Sequence, residues 1–266
     1  MEVREVELSH AQGFIRHVLD TSKGKTANKY RSALHQTFQI VRGESKAPSN
    51  VWEEVPHSAS TSHRRRALAE EERRRIFANV SEELRTLFTV GLYMGLRLGD
   101  AVRLRWADID MDNGVVHVVP SKTVRHGTEV VVSIKESPLL NILEAVPPES
   151  RTGFVMPELA GLYERENWCL RGMLAKVFSN CGIRTTVDSD KGRKSAEVGY
   201  HSLRHTFVSM AANAGVPLAV VQGIVGHTST AMTQHYFHAS RDALDKAAQA
   251  LPDFVTVSGQ DAGRNA

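Results

Sequence analysis

His201-Ser202-Leu203-Arg204-His205-Thr206-Phe207, Ala214-Gly215-Val216, Gly226-His227 and Thr233-Gln234-His235-Tyr236 concentrate the chemistry of this 266-residue chain in one short span. Apolar periodicity predicts helices over 202–214, 217–225 and 229–237, with Gly215 and Gly226 as the breaks between them. His201 lies one helical turn before Arg204, so the two share a face, and His205 follows at i+4 from His201. Arginine stays charged and can grip two oxygens of an anion at once. An imidazole one turn away suits a general base beside that clamp. The His201–His205 spacing also suits a metal pair, but there is no HExxH pattern and Arg204 stands between them, so the reading is no metal and no cofactor.

The stretches upstream supply further pieces. Helices are expected over 67–78 and 81–94, the second with Ser81 as N-cap. Gly95 fits the end of that helix, and a new one starts near Leu98. Arg97 therefore falls in a tight turn, beside free N–H groups that favour an anion. Segments 106–110, 114–119 and 129–134 alternate or are β-branched and predict a small antiparallel sheet, with Asp112-Asn113-Gly114 as turn chemistry. The Pro120-Ser121-Lys122-Thr123 loop carries one lysine between the last two strands. Helices are expected again from Pro138, over 167–180 and over 240–250, followed by a loose tail at 253–266. The fold class is mainly α with a small antiparallel β-sheet.

Two amphipathic helices, 9–20 and 25–42, precede an irregular stretch that begins at Pro48 and runs through a Ser/Thr-rich segment to the arginine run at Arg64. This predicts a short helical region over 1–58, a main domain over 59–252 and a flexible tail over 253–266. Lys and Arg total 33 against 30 Asp and Glu, a formal charge of +3, so distribution matters more than the sum. Lys23, Lys25, Lys29 and Arg31 cluster early, Arg64 and Arg65 follow the linker, and Arg193 and Lys194 precede the opening motif. These are candidate phosphate-backbone contacts, with solvated surface as the plainer alternative. Two cysteines without metal-like spacing suit a reduced, cytoplasmic setting, and no apolar run approaches the ~20 residues of a membrane span.

Displacement at a phosphodiester needs a nucleophile, charge stabilisation on the non-bridging oxygens and a proton for the leaving alkoxide. Tyr236 is the nucleophile candidate: alone it reads as an ordinary helix residue, but it follows His227 and lies between His235 and His238. Its phenol, with a free pKa near ~10, needs a base or a cationic site. Arg97 and Arg204 are the clamp candidates. His227 could donate to a phosphate oxygen or simply cap a helix, and Lys122 could protonate the leaving oxygen or simply be solvated.

In combination the chain resembles the tyrosine recombinase (phage integrase) family over roughly residues 67–250. Gly95-Leu96-Arg97-Leu98-Gly99-Asp100 is similar to its first arginine box, and His201 through Phe207, Gly226-His227 and Thr233 through Tyr236 are similar to its second, in the family's order. The resemblance implies a tyrosine-recombinase-like catalytic domain preceded by a core-binding-like helical region. It implies that Tyr236 attacks the scissile phosphate, forming a 3′-phosphotyrosyl bond and freeing a 5′-hydroxyl. Arg97, Arg204 and His227 would stabilise the transition state, His201 would be acid–base partner to the tyrosine, and Lys122 would be the general acid. Asp100 and His205 would support the site. Double-stranded DNA with specific recombination sites, a tetramer of the chain on that DNA, and no cofactor follow from the same resemblance.

The family more often carries glutamate where Asp100 stands. Its N-terminal domain usually has four helices, whereas two fit here before Val51-Trp52-Glu53-Glu54-Val55, so a reduced clamp is expected. The 240–250 helix would pack either in cis or on a neighbouring protomer. Two rival functions fit the same residues: a DNA-binding protein of this fold that has lost recombination, and a type IB topoisomerase.

Overall fold

The computed structural model describes residues 2–45, 47, 49–59, 65–80, 82–121, 129–189 and 193–226. The chain divides into two compact units, residues 1–63 and 64–266.

The first unit is built on α1 (Leu8–Thr21) and α2 (Gly24–Ser45). Ala11, Ile15 and Val18 are buried on α1, the i, i+4, i+7 stripe of an amphipathic helix. They meet Ala27 and Phe38 of α2, and Trp52 and Val55 close the cluster. Buried Asn50 fixes that closing segment. Its amide donates to the His35 carbonyl at 3.0 Å, and its Oδ1 accepts from the Trp52 N–H at 3.2 Å. Trp52 then meets Phe14 and Phe38 edge-on, with ring centroids at 6.1 and 6.2 Å. On this helix Phe14 is 39% exposed, and Ala11 takes the buried place.

The second unit follows as α3 (Glu70–Asn79), α4 (Glu82–Tyr93), α5 (Leu98–Val102), β1 (Ile109–Asp110), β2 (Val115–Val118), β3 (Val130–Ser133), α6 (Pro138–Glu144), α7 (Pro157–Asn180), β4 (Thr186–Ser189), β5 (Arg193–Ala196), α8 (Tyr200–Asn213) and α9 (Leu218–Val225). Strands β1, β2 and β3 form an antiparallel sheet in that order. Val116 pairs with Val132 and Val118 with Val130, all four buried, while His117 and Val131 face solvent. That period-2 alternation lays one face of the sheet on the core.

Helix α4 is the core's axis. Leu87, Phe88 and Val90 have no exposed surface, and Phe88 packs on Phe178 of α7 at 5.6 Å between ring centroids. Gly91 lets α8 come close: a Cβ there would sit 2.8 Å from Leu203 Cδ1 and 2.8 Å from Tyr200 Oη. The Tyr200 hydroxyl donates to the Leu87 carbonyl at 3.2 Å, so the start of α8 is locked to α4.

Three expectations need correction. Residues Trp106–Asp108 form a 3-10 turn, and the first strand is only Ile109–Asp110. Helix α7 begins at Pro157, well before 167, because both oxygens of Glu83 cap it, accepting from the Glu158 and Leu159 N–H groups at 3.1 and 2.8 Å. A break at Glu166 (φ −145, ψ 65) divides this helix where the sequence pattern starts. Finally, β4 and β5 form a hairpin that the sequence reading does not anticipate. The Ser81 N-cap, the 229–237 and 240–250 helices and the tail lie outside the described residues.

Candidate active site

The opening motif occupies the first turns of α8. Arg204 is 2% exposed, and its guanidinium reaches two separate loops. Nη1 donates to the Gly95 carbonyl at 2.8 Å, and Nη2 donates to the Val225 carbonyl at the end of α9. Gly95 has φ +61, and a Cβ there would meet the Phe207 ring at 2.7 Å. A left-handed backbone under an aromatic ring admits little but glycine. This is how the 95–97 turn and α8 come together.

Arg97 is the N-cap of α5, its carbonyl accepting from the Asp100 and Ala101 N–H groups at 3.0 and 2.8 Å. Its Nη2 donates to the Gly226 carbonyl at 3.4 Å. Gly226 closes α9 in the left-handed region, with φ 57 and ψ 48. Three pieces far apart in sequence, 95–97, 201–205 and 225–226, are thus tied by two arginines. His227, the residue after Gly226, and Tyr236 lie outside the described residues, as does Lys122. Asp100 Oδ1 accepts from the Ser121 N–H at 3.0 Å, immediately before Lys122 in sequence.

A cleft of about 410 Å³ opens here, with Arg97, His201, Ser121, Arg65 and Arg171 on its walls. Among the described residues lining it there is no carboxylate. Arg65 is held in place by its neighbours. Arg66 donates to both Glu72 oxygens at 2.7 Å and to Glu197 at 3.3 Å, and the Leu68 N–H donates to Thr206 Oγ1 on α8 at 2.8 Å. The hydrogen-bonded Arg66 guanidinium holds the Glu72 carboxyl below its usual range.

His201 and His205 meet edge-to-face, with ring centroids 4.8 Å apart. Burial, then His205, Arg204, Arg65 and Arg97, push the His201 pKa down to about 3. Burial, then Arg204 and Arg65, push His205 down to about 4. Both rings are therefore neutral near pH 7, each with one ring nitrogen able to accept a hydrogen bond, and an anion bound beside them would raise both pKa values again. No group of three His, Cys, Asp or Glu side chains able to hold a metal occurs among the described residues. Such a cleft can clamp an anion with fixed cations and take up a proton beside it.

The other basic candidates are dispersed. Lys23, Lys25 and Lys29 are exposed in the first unit. Arg31 serves its own fold: Nε donates to the Val55 carbonyl, and Nη1 stands 3.2 Å from His57 Nε2. Arg193 pairs with Ser189 in the β4–β5 hairpin, and Lys194 is exposed opposite Asp188. Arg64 lies outside the described residues. Sequence reasoning missed Arg171. The available signal was its position at the head of an i, i+3, i+4, i+7 row, Arg171, Leu174, Ala175 and Phe178, all of which line the cleft. No helix among the described residues is long and apolar enough to cross a membrane.

Known proteins share both the pattern and the fold. Residues 66–242 match the phage integrase family. A probable integrase/recombinase protein of Methanocaldococcus jannaschii is 26% identical over 149 residues, 56% of this chain and 43% of that protein. The integrase of Salmonella phage P22 is 24% identical over 245 residues, 89% of this chain and 61% of that protein. The chain spans less than two thirds of the length of either relative. The Tn1549 transposon integrase in complex with transposon right end DNA has the same fold, with a TM-score of 0.68 at 17% identity over 94% of this chain and 87% of that one. With the match extending from the arginine turn through both halves of the site, the chain belongs to the phage integrase family.

Proposed function

We propose that this chain is a site-specific DNA recombinase that cleaves and rejoins DNA strands through a 3′-phosphotyrosyl intermediate on Tyr236. The observation that carries the reading is the double tie of Arg204 to Gly95 and Val225 and of Arg97 to Gly226, which draws the two arginine boxes together beside a cleft lined by Arg97 and His201. Fixed donors facing an anion need no reorganisation as charge develops, which favours a phosphorane-like transition state.

In this mechanism the scissile phosphate sits between Arg97 and Arg204, with His227 as a further donor. Tyr236 attacks phosphorus, and its proton passes to His201, whose neutral ring becomes the stronger base once the negative phosphate lies beside it. The P–O5′ bond breaks, and Lys122 protonates the departing 5′-oxygen. The 5′-hydroxyl of a second strand then attacks the phosphotyrosyl bond, and the tyrosine recovers its proton. The ester energy is kept in the intermediate, so no step calls for ATP or a metal. Exchange between two duplex sites involves four strands, so four protomers, one tyrosine for each strand, is the assembly proposed. Residues 1–58 would act as a helical clamp on the DNA, with Lys25 and Lys29 exposed on α2.

The test is recombination of a plasmid that carries two copies of a site taken from the DNA flanking the gene. The expected result is a site-dependent recombinant junction with no relaxation of a site-free plasmid. Efficient relaxation of site-free plasmid would favour a type IB topoisomerase. DNA binding without either product would favour a protein that has lost the chemistry.

A further inference from the structure

We propose that Arg171, with Arg65, forms a second phosphate seat in the cleft, holding the backbone of the cleaved strand next to the scissile phosphate. The inference rests on the recombinase reading above and extends it to residues that the mechanism does not use.

Three observations converge on it. First, Arg171 shares the cleft with Arg97 and His201, but it comes from α7, a different element from those carrying the motif arginines. Its place is firm, because Leu174 and Phe178, further along the same helix face, are 3% and 0% exposed and anchor that face in the core. Second, Arg65 enters from the start of the second unit, fixed there by the pairing of Arg66 with Glu72 and Glu197. Third, the two side chains differ from several arginines of the same unit in their pairing. Arg66, Arg74, Arg103 and Arg184 all lie within ion-pair distance of carboxylates. Neither Arg65 nor Arg171 has an ion pair among the described residues, and no described carboxylate lines the cleft they share.

Cations gathered without counter-charges raise one another's energy, and an anion relieves it. One phosphate is already engaged by Arg97 and Arg204 in the proposed mechanism. A polyanionic strand lying across the same cleft brings its neighbouring phosphates to the cations that remain. A guanidinium is suited to each of them because it offers paired N–H donors to two phosphate oxygens. The ligand class is therefore the sugar–phosphate backbone of a nucleic acid strand, with no base read.

The experiment is binding of a short fluorescent DNA duplex to the full chain across a salt series. R171Q and R65Q should each flatten the dependence of log K on log salt by about 1, the contribution of one phosphate contact. R171K, which keeps the charge, should retain the wild-type slope. R74Q, which alters an exposed arginine paired with Glu70, is the control and should leave the slope unchanged. Thermal melting of each variant checks folding. A wild-type slope in folded R171Q overturns the proposal, as does an equal loss in R171K, which would assign the effect to shape rather than charge. The covalent reading fails separately: a wild-type protein that binds with these slopes yet forms no Tyr236 adduct would refute the chemistry while leaving the seat in place.

Discussion

Asp100 and Ser121 are joined by a hydrogen bond from the Ser121 N–H to Asp100 Oδ1 at 3.0 Å. Asp100 stands in the first turn of α5, three residues after Arg97, and Ser121 directly precedes Lys122. One carboxylate thus links the arginine turn to the residue that precedes the proposed general acid in sequence. The short aspartate side chain is long enough to make this bond.

The consequence is testable in the cleavage rate. D100A should slow the chemical step about fivefold or more, the equivalent of one lost hydrogen bond of about 1 kcal/mol. D100N keeps an acceptor oxygen and should recover much of the loss. DNA affinity should change little in either variant. Single-turnover cleavage of a nicked duplex measures the rate, and equal rates for D100A and the wild type would remove the tether from the account.

Arg204 is expected to matter for folding as well as chemistry. Its removal in R204A leaves the Gly95 and Val225 carbonyls without their charged donor inside a buried site. The expected destabilisation is about 3 kcal/mol, by the cost of unsatisfied buried polar groups. R204K can reach only one of the two loops, so it should remain folded more often than R204A yet cleave poorly. Urea unfolding read beside single-turnover cleavage separates the two effects.

Packing gives a prediction independent of chemistry. G91A places a methyl group 2.8 Å from both Leu203 Cδ1 and Tyr200 Oη. Forcing α4 and α8 apart should cost about 1–3 kcal/mol in chemical denaturation, as overpacking of a core does. A substitution at the exposed Gly172, which has no atom within 4 Å of an added Cβ, should be far milder.

The paired histidines set a pH dependence of stability. Both pKa values are depressed in the folded chain, to about 3 for His201 and about 4 for His205. The unfolded chain, with imidazoles near ~6.5, then binds more protons between these limits, so stability falls as pH drops below ~6.5. This fall continues through about pH 4 until the folded-state sites also protonate. The double variant H201N/H205N should lose less thermal stability than the wild type between pH 7 and pH 5. Melting curves across that range measure it, and parallel losses in the two proteins would contradict the assignment.

Much of this architecture is legible in the sequence where local chemistry decides. The His201–Arg204 spacing placed both residues at the start of α8, and the glycines at 95, 215 and 226 have positive φ as helix-ending residues do. The small sheet follows from alternating valines. Where distant residues decide, the sequence is silent. The first half of α7 depends on a cap from Glu83, and its break at Glu166 hides the continuity. Strands β4 and β5 bury little beyond Ser195, so no apolar alternation announces them. Arg171 heads a helical row with Leu174, Ala175 and Phe178, but that row points to a cationic site only once α7 is laid beside α5 and α8 in the cleft.

The most direct measurement of the central claim is trapping on a nicked duplex, whose cleavage releases a short fragment and so prevents religation. The wild-type protein should form a protein–DNA adduct that survives denaturant, maps to the peptide containing Tyr236, and disappears in Y236F while DNA binding persists. An adduct that persists in Y236F, or none from the wild-type protein on a site it recombines, would contradict it.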